Sequence, residues 1–393
     1  MVKGKGEIRQ NADTNLSRKM TFTPLPEDEV LVVRAGRRAL ERIRAHGLDP
    51  ADVEMIPGAA GGPKGLGIAG LDEAVFGTWL PRAPRVRHLV GASVGAWRFA
   101  AACRGDAVTG LRDLAREYSG QKYPLRPSRR FITDYAREML ATLFAGRERE
   151  ILENEHYRLH VLAVRGRGAL ARDGNLRTPL GFGMAAIANA VGRRHLAHFM
   201  ERTIFHDARG QPPFIAPAHL SATDPSKSIR FDAFHTHTVA LDAGNLREAL
   251  MASASIPLVL DGVADVPRAP AGVYWDGGII DYHLHLPYHH AQGLVLYPHF
   301  TDRIVPGWLD KALPWRKARG AWLDNVVLVA PSRAYLARLP HGKLPDRKDF
   351  VRYENDYDGR LKYWRAAIAE SARLGDAFLE FARAPDPAKV QPL

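Results

Sequence analysis

The chain has 393 residues, 46% hydrophobic and 25% charged, with 35 Gly, 27 Pro and one Cys. That apolar share excludes a mainly disordered chain, and Cys103 alone excludes a disulfide framework or a Cys-rich metal site. The net charge of +12, from 55 basic and 43 acidic residues, suits either an anionic partner such as a membrane, nucleic acid or acidic substrate, or an Arg-rich solvated surface.

Residues 1–20 are polar and unpatterned and read as a loose tail. From Glu27 to Ala45, Val30, Val33, Gly36, Leu40 and Ile43 recur at threes and fours, which predicts a helix. An extended run, Asp52–Pro57, leads into a Gly-rich loop at 58–65, an apolar helical segment Leu66–Leu80 and a strand Val86–Val90. A Gly-flanked turn and a helix Val94–Cys103 follow. This alternation predicts parallel strands joined by helices. Further helices are expected at Val108–Tyr118, Phe131–Phe144 and Leu246–Ser253. Further strands are expected at Leu159–Val164, Thr236–Leu241, Val273–Asp276, Leu294–Tyr297 and Val326–Val329.

Between Met184 and Phe205, Ile187, Val191, Leu196, Phe199 and Ile204 alternate with Arg193, Arg194, His195, His198 and Arg202. This reads as a basic amphipathic helix, either docked on the core or resting on anionic lipid as a cover to a site. Pro- and Gly-rich patches at 207–219 and 261–272 read as surface loops, and residues 358–382 as a last amphipathic helix carrying Leu361, Trp364, Ile368 and Phe378. No linker divides the chain. Residues 21–335 read as one domain and 336–393 as a helical extension packed on it. No segment approaches the roughly 20 apolar residues of a membrane span, and no apolar run follows the basic start as a secretory signal requires. The expected setting is cytoplasmic, peripheral to a membrane at most.

The sharpest motif is Gly91-Ala92-Ser93-Val94-Gly95, a G-x-S-x-G between a strand and a helix. Such a turn lifts the Ser hydroxyl clear of the sheet at a helix N-terminus, where negative charge is favoured. The plainer reading is a Gly-rich turn whose Ser caps the helix. The loop at 58–65 is not a Walker A loop, because Pro63 and Gly65 flank Lys64 where Gly and Ser or Thr are needed. Gly65-Leu66-Gly67-Ile68-Ala69-Gly70 matches a dinucleotide fingerprint literally, but it lies past the strand end, and no acidic residue stands between Glu73 and Asp106. An oxyanion hole fits better: consecutive Gly N–H groups in a loop after a strand, next to a neighbouring strand that ends in the Ser turn. Asp276-Gly277-Gly278, after the run Val273–Trp275, is a carboxylate on a turn; Asp-Gly turns are common, and Asp261-Gly262 is another. A Ser-His-Asp triad is disfavoured because only two strand candidates precede the Ser, although His283, His285, His289, His290 and His299 lie downstream. His235/His237 and His283/His285 each pair two imidazoles without an evident third ligand, so no metal is expected. The Trp residues form no nucleic-acid module, and no nucleic acid is expected.

Taken together, Gly61-Gly62-Pro63-Lys64-Gly65, Gly91–Gly95 and Asp276-Gly277-Gly278 resemble the patatin-like phospholipase family over roughly residues 50–300, with Ala252-Ser253-Ala254-Ser255-Ile256-Pro257 similar to a further segment. The resemblance implies a three-layer α/β/α fold with a mainly parallel sheet, and a Ser–Asp acyl hydrolase without cofactor, metal or catalytic His. On that mapping Ser93 is the nucleophile, Asp276 the base, and Gly61, Gly62, Pro63 and Lys64 the oxyanion loop. The implied substrates are phospholipids or other lipid esters. A thioesterase or carboxylesterase with the same dyad, or a catalytically weakened lipid-binding protein, are the alternatives. The sequence departs from the family where Ala59-Ala60 replace the usual Asp-Gly, where Lys64 replaces the commoner Arg, and where Asp281, His283 and Pro287 follow the Asp-Gly-Gly.

Overall fold

The computed structural model describes residues 30–215 and 230–393; the tail expected over 1–20, and 216–219 of the first loop, lie outside them. The described strands are β1 (Leu31–Ala35), β2 (Val53–Gly58), β3 (Arg87–Ala92), β4 (Tyr157–Gly166), β5 (Met200–Asp207), β6 (Thr236–Leu241), β7 (Val263–Ala264), β8 (Val273–Asp276), β9 (Leu294–Pro298), β10 (Val326–Pro331) and β11 (Gln391–Pro392). They form one sheet in the order β11-β1-β10-β9-β2-β3-β4-β5-β6, with β8 on β4 and β7 on β8. The run β10-β9-β2-β3-β4 is parallel. Within it β9 and β10 are buried at every residue, as strands covered by helices on both faces must be. The architecture is mixed α/β, a central sheet flanked by helices, consistent with the three-layer expectation.

One feature of the pairing positions the site. β3 runs along β4 until Ala92 stands opposite Leu162, and there β3 ends. On the next rung, Ala163 of β4 stands opposite Asp276 of β8, which runs antiparallel. A residue that follows β3 and the last residue of β8 therefore meet at one point on β4.

Four expectations need correction. The helix read over Glu27–Ala45 is β1 followed by a helix, Arg37–His46. The Val-rich strand β1 pairs antiparallel with β10 and parallel with β11, a long-range partnership that overrides the helical spacing. The helix read over 184–205 ends at Val191, and after a 3₁₀ turn, Arg193–His198, the chain becomes β5. The final helix is two, Tyr357–Glu370 and Ala372–Arg383, broken at Ser371, whose hydroxyl accepts from Gly70 N–H at 2.8 Å. A Cβ on Gly70 would stand 2.4 Å from the Ser371 backbone, and one on Gly67 2.6 Å from Leu344. The glycines of the literal dinucleotide fingerprint thus serve close packing. The segment Leu66–Leu80 is helical throughout but changes pitch, from 3₁₀ through α to a π turn. The loop expected over 261–272 contains the short β7.

Candidate active site

Ser93 sits between β3 and the helix Val94–Ala102 with φ 55° and ψ −131°. A non-Gly residue held there stores about 1–3 kcal/mol of strain, so the surroundings must impose it. They do. A Cβ on Gly91 would stand 2.5 Å from the Ala96 backbone, and one on Gly95 1.9 Å from the Gly58 carbonyl oxygen, so the helix lies hard against the ends of β2 and β3. Ser253, at the end of the helix Leu246–Ala254, fixes the turn further. Its hydroxyl accepts from Ser93 N–H at 2.9 Å and donates to Leu162 O of β4 at 2.6 Å.

The Ser93 hydroxyl donates to Asp276 Oδ2 at 2.7 Å across 183 residues of sequence. The other carboxylate oxygen accepts from Gly278 N–H at 2.7 Å, and Asp276 N–H donates to Ser255 O at 2.9 Å. Asp276 is buried, and burial pushes its pKa above the ordinary carboxylate value; the Arg347 charge and the hydrogen bonds from Ser93 and Gly278 oppose this.

The loop after β2 approaches the same point. Ala60 N–H donates to Tyr282 O at 2.9 Å, and Gly62 takes φ +57°, a left-handed conformation that favours Gly. Among the described residues the N–H groups of Gly61 and Gly62 have no hydrogen-bond acceptor. Neither Ala59 nor Ala60 takes a positive φ, so methyl groups are tolerated there. The Ala60 methyl fills the space over Gly278, where a second Cβ would come within 2.5 Å of it. Pro63 is buried and begins a 3₁₀ turn; the Lys64 ammonium lies 5.1 Å from the Phe300 ring centroid.

Gly62 and Ser93 line a cavity of about 250 Å³ walled mainly by apolar side chains, among them Trp97, Ile132, Met139 and Ile256. A second recess, lined by Asp276, Gly278, Tyr282 and Trp308, shares Ile256 and Arg347 with it. A hydroxyl bonded to a buried carboxylate, beside unused amide donors and an apolar cavity, has what acyl transfer requires.

A family model for patatin-like phospholipases matches residues 59–284. The chain belongs to this family. Its members are lipid hydrolases in general. A comparison with curated proteins found no match.

Two of the histidines downstream of Asp276 are bonded to backbone groups. His283 is buried, accepts from Val305 N–H at 3.0 Å and stacks on Tyr282. His285 accepts from Arg319 N–H at 2.8 Å, and His237 pairs with Glu201 at 2.9 Å. His235 lies beside Arg230. Among the described residues no group of three or more His, Cys, Asp or Glu is placed to hold a metal. Cys103 is buried, and burial pushes its thiol pKa up. The sequence reading gave no role to Ser253 or Arg347. The Ala252–Pro257 segment signalled the first; nothing signalled the second, which lies beyond the family match.

Proposed function

We propose that the protein is a serine acyl hydrolase of lipid esters, with Ser93 as nucleophile and Asp276 as its base. The observation that carries this reading is the 2.7 Å hydrogen bond between them at the wall of an apolar cavity. As Ser93 Oγ attacks the acyl carbon, its proton passes to Asp276. The carbonyl oxygen, now negative, is met by the free N–H groups of Gly61 and Gly62 and by the N-terminus of the helix Val94–Ala102. Collapse breaks the C–O bond, and the leaving alcohol takes the proton from Asp276. Water then gives a proton to Asp276 and attacks the acyl-enzyme; the bond from Ser93 Oγ to the acyl carbon breaks, Oγ takes the proton back from Asp276, and a carboxylic acid leaves. A free carboxylate is a weak base for a hydroxyl; burial, which raises the affinity of Asp276 for a proton, supports the assignment. The acyl chain occupies the cavity lined by Trp97, Met139 and Ile256.

The test is substitution. Ser93→Ala should abolish both ester hydrolysis and labelling by a fluorophosphonate, and Asp276→Asn should abolish turnover in a folded protein. Labelling of Ser93→Ala at the wild-type level would remove Ser93 from the mechanism. Phospholipid, lysophospholipid, triacylglycerol and acyl-thioester substrates compared side by side rank the leaving groups.

The same reading extends to a lipid surface as partner. On the helix Arg177–Val191, Leu180, Met184, Ile187 and Val191 face solvent in one stripe with the preceding Leu176, and Ile187 is 71% and Val191 79% exposed. Exposed Arg177, Arg194 and Lys317 flank the stripe. Aliphatic side chains ringed by cations suit an anionic bilayer.

A further inference from the structure

Arg347 lies in the turn before a short helix, Lys348–Arg352, well past the matched region. The turn is pinned. The Lys343 ammonium bonds Asp346 at 3.0 Å and Asp349 at 2.6 Å, Asp349 accepts from Trp364 Nε1 at 3.1 Å, and Tyr363 OH donates to Lys343 O at 2.7 Å. Both neighbouring acids are therefore taken by Lys343, and Arg347 has no hydrogen bond or ion pair among the described residues. Its side chain instead lies over the oxyanion loop: a Cβ on Gly62 would stand 3.2 Å from Arg347 Nε. It lines both the apolar cavity and the recess beside Asp276.

Other cations near the mouth are also without an ion pair among the described residues. The Lys64 ammonium rests over the Phe300 ring and that of Lys311 over the Tyr282 ring, each 5.1 Å from the centroid, and Arg303 is exposed close by. The Lys64 pKa is lowered first by burial and then by the Lys311 charge, with the Asp346 charge opposing. Of the acids near Arg347, Asp276 already receives hydrogen bonds on both oxygens and Asp346 pairs with Lys343. A guanidinium held in place with its fork unused fits a phosphate or carboxylate supplied from outside.

We propose that Arg347, backed by Lys311, is an anion subsite on the alcohol side of the scissile ester, and that the preferred substrate carries a phosphate on its leaving group. The proposal rests on the acyl-hydrolase reading above. With the acyl chain in the apolar cavity, the alcohol faces the recess that Arg347 shares, so a phosphate two or three carbons from the ester oxygen, as in a monoacylglycerol phosphate, is presented to the guanidinium. The choice among lipid esters is then made by charge beside the ester as well as by chain length.

The experiment compares two substrates with the same acyl chain, a monoacylglycerol phosphate and the uncharged monoacylglycerol. Its readout is the ratio of their kcat/KM values. Any change in the proton affinity of Asp276 acts on both substrates and cancels. Arg347→Gln should lower the ratio at least tenfold, mainly through KM of the phosphate substrate, and Arg347→Lys should restore part of it. Lys311→Gln, at an exposed position, should lower it about threefold and covers the case where Arg347→Gln fails to fold. An unchanged ratio in both Gln variants overturns the subsite, as does an equal loss on both substrates. Binding of glycerol 3-phosphate to Ser93→Ala, measured by calorimetry, separates the two readings. Binding there that disappears with Arg347→Gln supports the subsite even if turnover assigns the nucleophile elsewhere. Inorganic phosphate binding as tightly as glycerol 3-phosphate would mark a site for the free ion and overturn the leaving-group assignment.

Discussion

At Asp276 opposing effects act on one proton. Burial holds its pKa above the ordinary value of about 4, while Arg347 and two hydrogen bonds pull it down. The other ionisable groups that sense it are Tyr118 and Tyr282, each pushed up to about 12 by burial and so neutral at working pH. The rising limb of kcat/KM against pH should therefore have its midpoint above 4. Arg347→Gln removes a cation and should move that limb to higher pH; a move to lower pH would contradict the assignment. The stability consequence has a definite sign. A carboxyl with a raised native pKa binds its proton more tightly folded than unfolded, so it destabilises the fold above its native pKa. That penalty is relieved as the pH falls toward 4. Asp276→Asn should consequently melt no lower than wild type at pH 8, with the difference fading toward pH 4. A lower melting temperature at pH 8 would mean that the carboxylate serves the fold rather than the chemistry.

The Ser93 turn works as an element because a helix and two strands meet with no room for side chains at Gly91 and Gly95. Gly95→Ala forces a methyl to within 1.9 Å of the Gly58 carbonyl oxygen, and backbone cannot yield as a side-chain tip can. The cost is expected to be about 3 kcal/mol or more, read as a fall in the denaturation midpoint, with loss of activity. Ser253→Ala is milder. It removes the acceptor of Ser93 N–H while leaving the packing intact, so kcat should fall further than stability does. Elements with a local signature were legible in the sequence: Thr236–Leu241 and Val273–Asp276 have the same ends in the structure as in the pattern. β1 was not, because Val30, Val33, Leu40 and Ile43 satisfy a helical spacing while straddling a strand and a helix. Its pairing with β10, some 300 residues on, and with β11 decides. β5 was hidden for a related reason. Arg202 reads as a surface cation, yet it is fully buried between Asp232 and Asp281, partners that no local pattern names. Gly61, Gly62, Ser93 and Asp276 stood out because tight turns leave glycine signatures. Arg347 stands in an ordinary charged stretch, and its place over Gly62 exists only in three dimensions.

Over the whole molecule, exposed apolar side chains gather around the mouth. Val259 lines the acyl cavity and Trp308 the recess beside Asp276, and both are exposed. The turn carrying Trp308 is tied to the helix Arg177–Val191 through Asp310, which accepts from Asn189 Nδ2 at 2.8 Å and pairs with Arg193 at 3.1 Å. Trp315, 66% exposed, precedes Arg316, whose guanidinium donates to Asn189 O at 2.8 Å. The helix that bears the aliphatic stripe and the turns that bear the two Trp residues are thus joined by hydrogen bonds. No helix among the described residues is long and apolar enough to cross a membrane. A bilayer meeting this face would take up Ile187 and Val191 while the flanking cations met phosphate, adding about 1 kcal/mol per cation near an anionic surface. Flotation with vesicles of phosphatidylcholine alone or with 30 mol% phosphatidylserine is the measurement. Binding should favour the anionic vesicles and weaken as salt is raised. The double change Ile187→Glu and Val191→Glu should abolish it and slow hydrolysis of vesicle-borne substrate, while turnover of a short soluble ester stays near the wild-type rate, because neither residue lines the cavity. Equal flotation with both vesicle types would remove the electrostatic half of the argument. Full binding by the double variant would assign the surface to another face.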